Sequence, residues 1–423
     1  MKVYKFGGAS VKDANAIKNV AKILVADEPS GILIVISAMG KTTNALENVA
    51  KHYCNQSGNY QVLLENIKTD HYGIIKALFS DEKNPVYNEV NNFFVEIEWI
   101  LEDEPHDEYN FIYDQLVSIG ELIASCIISN YLNISGILNK WIDARAYVQT
   151  DNNYRNANIN WPKTETLILN TLPKILNTEL VITQGFIGNT SENFTTTLGR
   201  EGSDFTAAIF GNCLNAQSVT IWKDVPGVLN ADPKLFNDTV KFDFLSYNEA
   251  IEMAYYGATI IHPKTLKPLQ NKNIPLFVKP FMASHESGTQ ICNTEIPIKI
   301  PIIIIKNNQV LISLSTKDVS FINKNHLKNI FAALADLNVL INTIQISALS
   351  FSACFDFEEI QFNTLCATLK TEFNVRYNNN LQLITVRHYN ENILKKLTNK
   401  QEILLEQLSR ITAQIVVKAS IKE

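Results

Sequence analysis

Gly31-Ile32-Leu33-Ile34-Val35-Ile36-Ser37 is an unbroken apolar run, the pattern of a strand buried on both faces. Such a strand belongs to a parallel sheet covered on both sides, and the sequence around it agrees. Upstream, Val3 to Phe6 is a short apolar strand ending in Gly7-Gly8. Asp13 then stands as N-cap before Ala16, Ile17, Val20, Ala21, Ile23 and Leu24 at helical spacing. Downstream, a long helical stretch from about Asn44 to Leu132 is broken near Asn84-Pro85 and near Pro105. Strands return at Ile137 to Ile142, Leu180 to Gln184, Ser218 to Trp222 and Ile274 to Val278. This alternation predicts an α/β fold with a mainly parallel sheet between two helical layers.

The rhythm changes near residue 295. Ile296 to Pro301 reads as a connector. Beyond it the pattern predicts strand Val310 to Ser315, helix Asn325 to Leu337, strands Val339 to Ser347 and Ser350 to Phe355, and helix Glu358 to Phe373. A shorter series follows: strands Asn374 to Tyr377 and Leu381 to Arg387, a helix near Gln401 to Leu408, and strand Ala413 to Val417. The expectation is two small α+β units in tandem, the second lacking its final elements.

Composition narrows the function. The 423 residues carry 37 basic and 43 acidic side chains, a net charge of −6, and 46% of them are hydrophobic. That is globular composition, and it argues against a chain built to grip a nucleic-acid backbone. An anionic small substrate remains open, because a local group of cations works inside an acidic protein. The six cysteines are scattered without a CxxC pair, as expected of reduced thiols rather than disulfides or zinc ligands. The start Met1-Lys2-Val3-Tyr4-Lys5 has no apolar h-region, and Ile300 to Ile305 is too short to span a bilayer. The expectation is a soluble, cytoplasmic protein with neither membrane nor nucleic acid as partner.

The chemistry gathers in turns at strand ends, where open α/β sheets bind ligands. Lys5-Phe6-Gly7-Gly8-Ala9-Ser10 offers a cation, two glycines that let the backbone approach, and a hydroxyl; as a fragment it is equally a Gly-Gly turn with a solvated lysine. Ser37-Ala38-Met39-Gly40-Lys41-Thr42-Thr43-Asn44 is a polar loop, adequately explained by helix capping. Thr195-Thr196-Thr197-Leu198-Gly199-Arg200-Glu201-Gly202-Ser203-Asp204 follows Gln184-Gly185-Phe186-Ile187-Gly188. It brings a guanidinium fork and a helix N-terminus together, which favours a site for an anion. Trp222-Lys223-Asp224-Val225-Pro226-Gly227 and Ala231-Asp232-Pro233-Lys234 are turns of ordinary turn residues. His262 before Pro263 reads as a capping histidine. Glu121, amid Ile119, Leu122 and Ile123, needs a positive partner, either a ligand's ammonium group or a structural cation.

Taken in order, these segments resemble an aspartate kinase of the amino-acid kinase family. The resemblance rests on Lys5 to Ser10, Ser118-Ile119-Gly120-Glu121, Gln184 to Gly188, Thr195 to Asp204, Asp224 to Gly227, Gly257-Ala258 and His262-Pro263. It implies a three-layer α/β/α catalytic domain at 1–295, with an aspartate-binding lobe at about 1–183 and a nucleotide-binding lobe at about 184–295. It also implies tandem ACT-like regulatory domains at 301–423, the second truncated. The implied reaction is phosphorylation of the L-aspartate side chain by Mg-ATP, the first step toward lysine, threonine and methionine. The implied catalytic residues are Lys5 and Asp204. Thr43, Glu121, Arg200 and Ser203 would bind aspartate. Lys5, Gly7, Gly8, Ser10, Lys223, Asp224, Leu229, Lys234, Ala258 and Thr259 would hold the nucleotide, with Mg2+ but no dedicated protein metal site.

Some positions depart from that family. Leu229, Lys223, Lys234 and Thr259 stand where relatives often carry an aromatic residue, Thr, Arg and Lys. In the regulatory part Asn342 replaces an acidic residue while Ser347 is retained, so inhibition by lysine is expected to be weak or absent. The truncated second unit implies an open sheet edge covered in a homodimer. A catalytically weak, amino-acid-sensing homologue and a purely structural protein are the alternatives. Joint retention of Lys5, Glu121, Arg200 and Asp204 argues against the first, and clustered glycines and charges at strand ends against the second.

Overall fold

All five residues of Ile32–Ile36 are buried, as an unbroken apolar run requires. The computed structural model describes residues 1–27, 31–318 and 320–418. The chain divides into two compact units, one made of Met1–Val228, Lys241–Ala254 and Thr259–Ile296, the other of Leu229–Val240, Tyr255–Ala258 and the residues from Pro297 on.

The first unit contains strands β1 (Lys2–Phe6), β2 (Ile32–Ile36), β3 (Asn139–Trp141), β4 (Leu180–Gln184), β5 (Ile187–Asn189), β6 (Thr195–Thr197), β7 (Ser218–Lys223), β8 (Phe244–Ser246), β9 (Leu276–Pro280) and β10 (Thr289–Cys292). Its helices are α1 (Ala14–Ala26), α2 (Thr42–Cys54), α3 (Tyr60–Leu78), α4 (Val86–Glu102), α5 (Tyr109–Val117), α6 (Ile119–Ile134), α7 (Trp161–Leu176), α8 (Gly202–Cys213), α9 (Tyr247–Tyr255) and α10 (Pro263–Asn271). The eight-stranded sheet runs β3-β4-β2-β1-β7-β9-β10-β8. Its pairs are parallel except β10 with β9. The predicted parallel sheet is thus present. Strands β8 and β10 and the β5–β6 hairpin went unpredicted, since four residues or fewer leave too little pattern to read.

The sheet reverses direction at β1, with β2 on one side and β7 on the other. This is the switch point at which a crevice opens beyond the strand ends. Alternate residues Tyr4, Phe6, Ile32, Ile34 and Ile36 face a core shared with α1 to α6. Residues of the other parity, Lys5 among them, face the layer in which α8 packs on β1, β2 and β7. The stretch Tyr109–Ile134 is long and apolar enough to cross a membrane by composition, yet its most apolar part is 89% buried in the fold, which makes it core.

In the second unit a six-stranded antiparallel sheet runs β12-β13-β11-β14-β16-β15, from β11 (Ile302–Thr316), β12 (Ile341–Ile346), β13 (Ser350–Asp356), β14 (Phe373–Arg387), β15 (Ile403–Leu408) and β16 (Thr412–Lys418). Its helices are α11 (Lys324–Asp336), α12 (Glu359–Leu369) and α13 (Glu391–Thr398). Two ferredoxin-like modules share this sheet.

Three expectations are corrected here. The strands expected at 374–377 and 381–387 are one strand, β14, with register shifts opposite Lys306 to Leu311. The helix expected near Gln401 to Leu408 is strand β15. The helix lies earlier, where the Asn390 side chain accepts the Ile393 N–H as its cap. Finally, the open edge expected in the second module is not found at that place among the described residues. Ile302–Lys306, the first part of β11, pairs there with Leu383–Arg387.

Candidate active site

The tips of β1, β2, β4 and β7 open onto a cleft of about 460 Å³. Lys5 is the penultimate residue of β1 and points toward α8, whose first turn carries Asp204. Lys5 Nζ lies 2.6 Å from Asp204 Oδ1, and Lys223 Nζ, from the end of β7, lies 3.3 Å from Oδ2. Lys223 also donates to the Ile260 carbonyl. Burial pushes the Asp204 carboxyl up, but the two lysines outweigh it and hold the group below its ordinary value, ionised. One carboxylate therefore aims two ammonium groups at the cleft and offsets part of their charge.

The β1 turn is tight for a definite reason. A Cβ on Gly8 would lie 2.8 Å from the Ala38 carbonyl oxygen and 2.9 Å from that of Gly40, so this turn lies flat on the 37–41 loop. Gly40 N–H donates to the Gly8 carbonyl at 3.0 Å. At the amino end of α8, Gly185 faces Ser203, whose side chain would lie 2.5 Å from a Cβ there.

Glu121, on α6, is only 2% exposed, and its Oε2 has no hydrogen-bond partner among the described residues. Burial raises its pKa to about 8, against the opposing pull of the Ala38 N–H and of Lys5. A buried carboxyl with an unmade bond at the edge of a cleft is a receptor for a cation.

Lys5, Gly8, Thr43, Glu121, Arg200, Ser203, Asp204 and Lys223 all line this one cleft. Gly7 lies beside it, a Cβ there falling 3.2 Å from Lys5 Nζ. Ser10 does not line it: its buried hydroxyl faces the Trp222 carbonyl at 3.5 Å, a bond within the fold. Asp224 and Thr259 are exposed residues of the first unit outside the cleft lining, while Leu229, Lys234 and Ala258 belong to the second unit. His262 caps α10, its Nδ1 accepting the Lys264 N–H at 3.2 Å, as expected. In the second unit Asn342 receives Lys306 Nζ at 2.8 Å and donates to Gln309 at 2.7 Å, and Ser347 bonds Ser350 at 2.7 Å.

Sequence reading missed Ser37, Tyr113, Arg155 and Phe186 as cleft residues. Phe186 and Arg155 have φ of 72° and 69°, and so does their neighbour Glu201 at 54°. Left-handed backbone at three non-glycine residues around one cleft is strain held in place by its surroundings. Only the φ values reveal it, and no short-range sequence pattern announces them.

A parallel sheet with paired lysines at its switch point and a cation-seeking carboxyl opposite defines a site for joining two anionic molecules. Comparison with known proteins agrees. Residues 1–280 match the amino acid kinase family. The chain is 33% identical over 356 residues to lysine-sensitive aspartokinase 3 of Escherichia coli, covering 84% of this chain and 78% of that one. Its structure resembles E. coli aspartokinase III in complex with aspartate and ADP, with TM-score 0.86, 28% identity, and 99% and 96% of the two chains covered. The same enzyme in complex with lysine and aspartate gives a TM-score of 0.83 at 28% identity, again with 99% and 96% covered. The chain belongs to the amino acid kinase family, on its aspartate kinase branch.

Proposed function

We propose that this chain transfers the γ-phosphoryl group of ATP to the side-chain carboxylate of L-aspartate, giving ADP and 4-phospho-L-aspartate. The observation that carries the reading is the convergence of Lys5, Lys223 and Asp204 with Glu121 and Arg200 in one cleft. The nucleophile needs no general base, because an aspartate side chain with pKa near about 3.9 is already ionised. What opposes reaction is repulsion between the carboxylate and the phosphate chain, and that calls for positioned cations.

Lys5 neutralises charge on the transferring group, held in direction by Asp204. Lys223 serves the leaving phosphates, and the amino end of α8 adds N–H donors. Glu121 receives the substrate ammonium group, Arg200 clamps a carboxylate, and Thr43 and Ser203 complete the amino-acid pocket. Gly7 and Gly8 give the phosphates close backbone approach. Asp224 serves the nucleotide from outside the cleft lining. Both oxygens of Asp204 are taken by lysines, so the residues do not form a metal site of their own. Mg2+ would come with the nucleotide and would supply neutralising charge to its phosphates.

The second unit acts as a regulatory and pairing module. Leu340 is 81% exposed beside edge strand β12, with Ile346 and Leu349 half exposed, and a second copy of the chain covers this edge in a homodimer. Lysine is a poor effector, because Lys306 already places an ammonium group on Asn342. Steady-state kinetics of two variants test the site. Arg200→Ala should raise the aspartate KM with a smaller change in kcat, and Lys5→Ala should lower kcat by about 10²- to 10³-fold. Unaltered kinetics in both would overturn the assignment.

A further inference from the structure

Resting on the reading above, we infer that Asp114 and Gln115 are positioning residues that set where Glu121 and Arg200 stand relative to each other, and with it the length of amino acid the site accepts. Glu121 is assigned the substrate ammonium group and Arg200 a carboxylate. The reacting carboxylate has to stay free to attack, so Arg200 takes the other one. Asp114 and Gln115 do not line the cleft. They act through the elements that carry those two residues.

Glu121 and Asp114 belong to one rod. Helices α5 and α6 follow each other through Ser118, itself in helical backbone, so Tyr109–Ile134 is helical throughout. Their spacing of two turns places Asp114 and Glu121 on the same face, roughly 10 Å apart along the axis. Arg200 comes after β6, a strand of three residues, which is too short to hold its place by one ladder. On one side β6 pairs with β5. On the other side α5 takes the place of a strand. Gln115 Nε2 donates to the Thr195 carbonyl at 2.8 Å, and Gln115 Oε1 accepts the Thr195 N–H at 3.2 Å. The buried Asp114 carboxylate accepts the Thr197 N–H at 2.8 Å and the Thr197 hydroxyl at 2.7 Å. The Ala157 N–H donates to the Thr197 carbonyl at 3.0 Å, and the Arg155 N–H bonds both Asp114 oxygens, at 3.1 and 3.0 Å. The outer edge of β6 is thereby fully paired, largely by two consecutive side chains of one helix.

From Thr197 the chain reaches Arg200 with little slack. Leu198 is buried and donates its N–H to the Phe186 carbonyl at 2.8 Å, and the Gly202 N–H returns to the Gly199 carbonyl at 3.0 Å. The turn that bears Arg200 is therefore set by β6, and β6 is set by the rod that bears Glu121. An amino acid held at its ammonium group and at its non-reacting carboxylate is fixed in place, so its side-chain carboxylate meets Lys5 for one chain length only. Loosening the tie between α5 and β6 lets the substrate shift, and discrimination of length is lost with it.

Steady-state kinetics with L-aspartate and with L-glutamate, one methylene longer, tests this. Asp114→Ala should raise the aspartate KM about tenfold or more, with kcat changed by less. Its kcat/KM preference for L-aspartate over L-glutamate should shrink by about tenfold, within the range of about 10- to 200-fold that one methylene is worth in a fitted pocket. Asp114→Asn should restore most of both, because its amide oxygen accepts the two N–H groups and its nitrogen donates to Thr197 Oγ1. Loss of stability alone lowers the folded fraction, hence the apparent kcat, and leaves KM in place. Gln115→Ala, at a half-buried position, serves where Asp114→Ala does not fold, and should raise the aspartate KM about threefold. An unchanged aspartate KM in the variant that folds, or a raised KM with the preference unchanged, would overturn the inference alone. Failure of the unaltered chain to turn over aspartate would overturn the proposed function and this inference with it.

Discussion

Glu121 shows how one residue ties stability to recognition. Its carboxyl sits above its ordinary value of 4.5, at about 8, because burial disfavours the charged form. A folded-state pKa raised this way costs stability as pH climbs, from the unfolded value up to the folded one. Glu121→Gln should therefore melt higher than the unaltered chain, by a margin that widens between about pH 5 and pH 8. The same variant should lose affinity for aspartate by at least about tenfold, since its amide oxygen can accept from an ammonium group but carries no charge to pair with it. Binding of aspartate near neutral pH should release a proton from Glu121, measurable as a buffer-dependent heat in calorimetry. Lys5, Glu121, Arg200 and Asp204 were legible in the sequence because each stands in a glycine-bearing turn or an apolar helix where its charge is out of place. Arg155 was not, lying in Asp151-Asn152-Asn153-Tyr154-Arg155-Asn156, a run that reads as surface loop. Its partner Asp114 is 41 positions away.

At the scale of elements, the site depends on how closely two loops approach. The β1 turn lies on the 37–41 loop with no room for a methyl group at Gly8, and both obstructing atoms are backbone carbonyls. Gly8→Ala should cost about 1–3 kcal/mol and weaken nucleotide binding more than aspartate binding, as thermal melts and titrations with each ligand would show. Long elements could be read from the sequence, and β4 was placed at Leu180–Gln184 to the residue. Residues 401–408 misled, because among Ile403–Leu408 only Leu405 is buried, and one buried position carries no period of two. The true helix, Glu391–Thr398, is eight residues long, and its stripe of Ile393, Leu394 and Leu397 is too short to establish a helical period.

For the molecule as a whole, the informative feature is that β11 and β14, 15 residues each, run through both C-terminal modules. Sequence reading divided β14 and took only Val310 to Ser315 of β11 as strand, since pairing between residues so far apart in the chain, from Thr316 with Phe373 to Ile302 with Arg387, leaves no local trace. Shared strands make the modules cooperative: amides of β13 and of β16 should exchange with deuterium at one common opening free energy. Two separate values would mean that each module opens alone. Because Lys306 already occupies Asn342, addition of lysine should leave the turnover rate unchanged, and inhibition at sub-millimolar lysine would show that the polar group around Asn342 rearranges.

The most direct test of the central claim is a single assay with L-aspartate, Mg-ATP and hydroxylamine, which traps an acyl phosphate as its hydroxamate. A cleft that brings two anions together across Lys5 and Glu121 should form aspartyl hydroxamate and ADP in equal amounts, dependent on aspartate. ADP without hydroxamate, or no ADP from folded protein, would contradict the account.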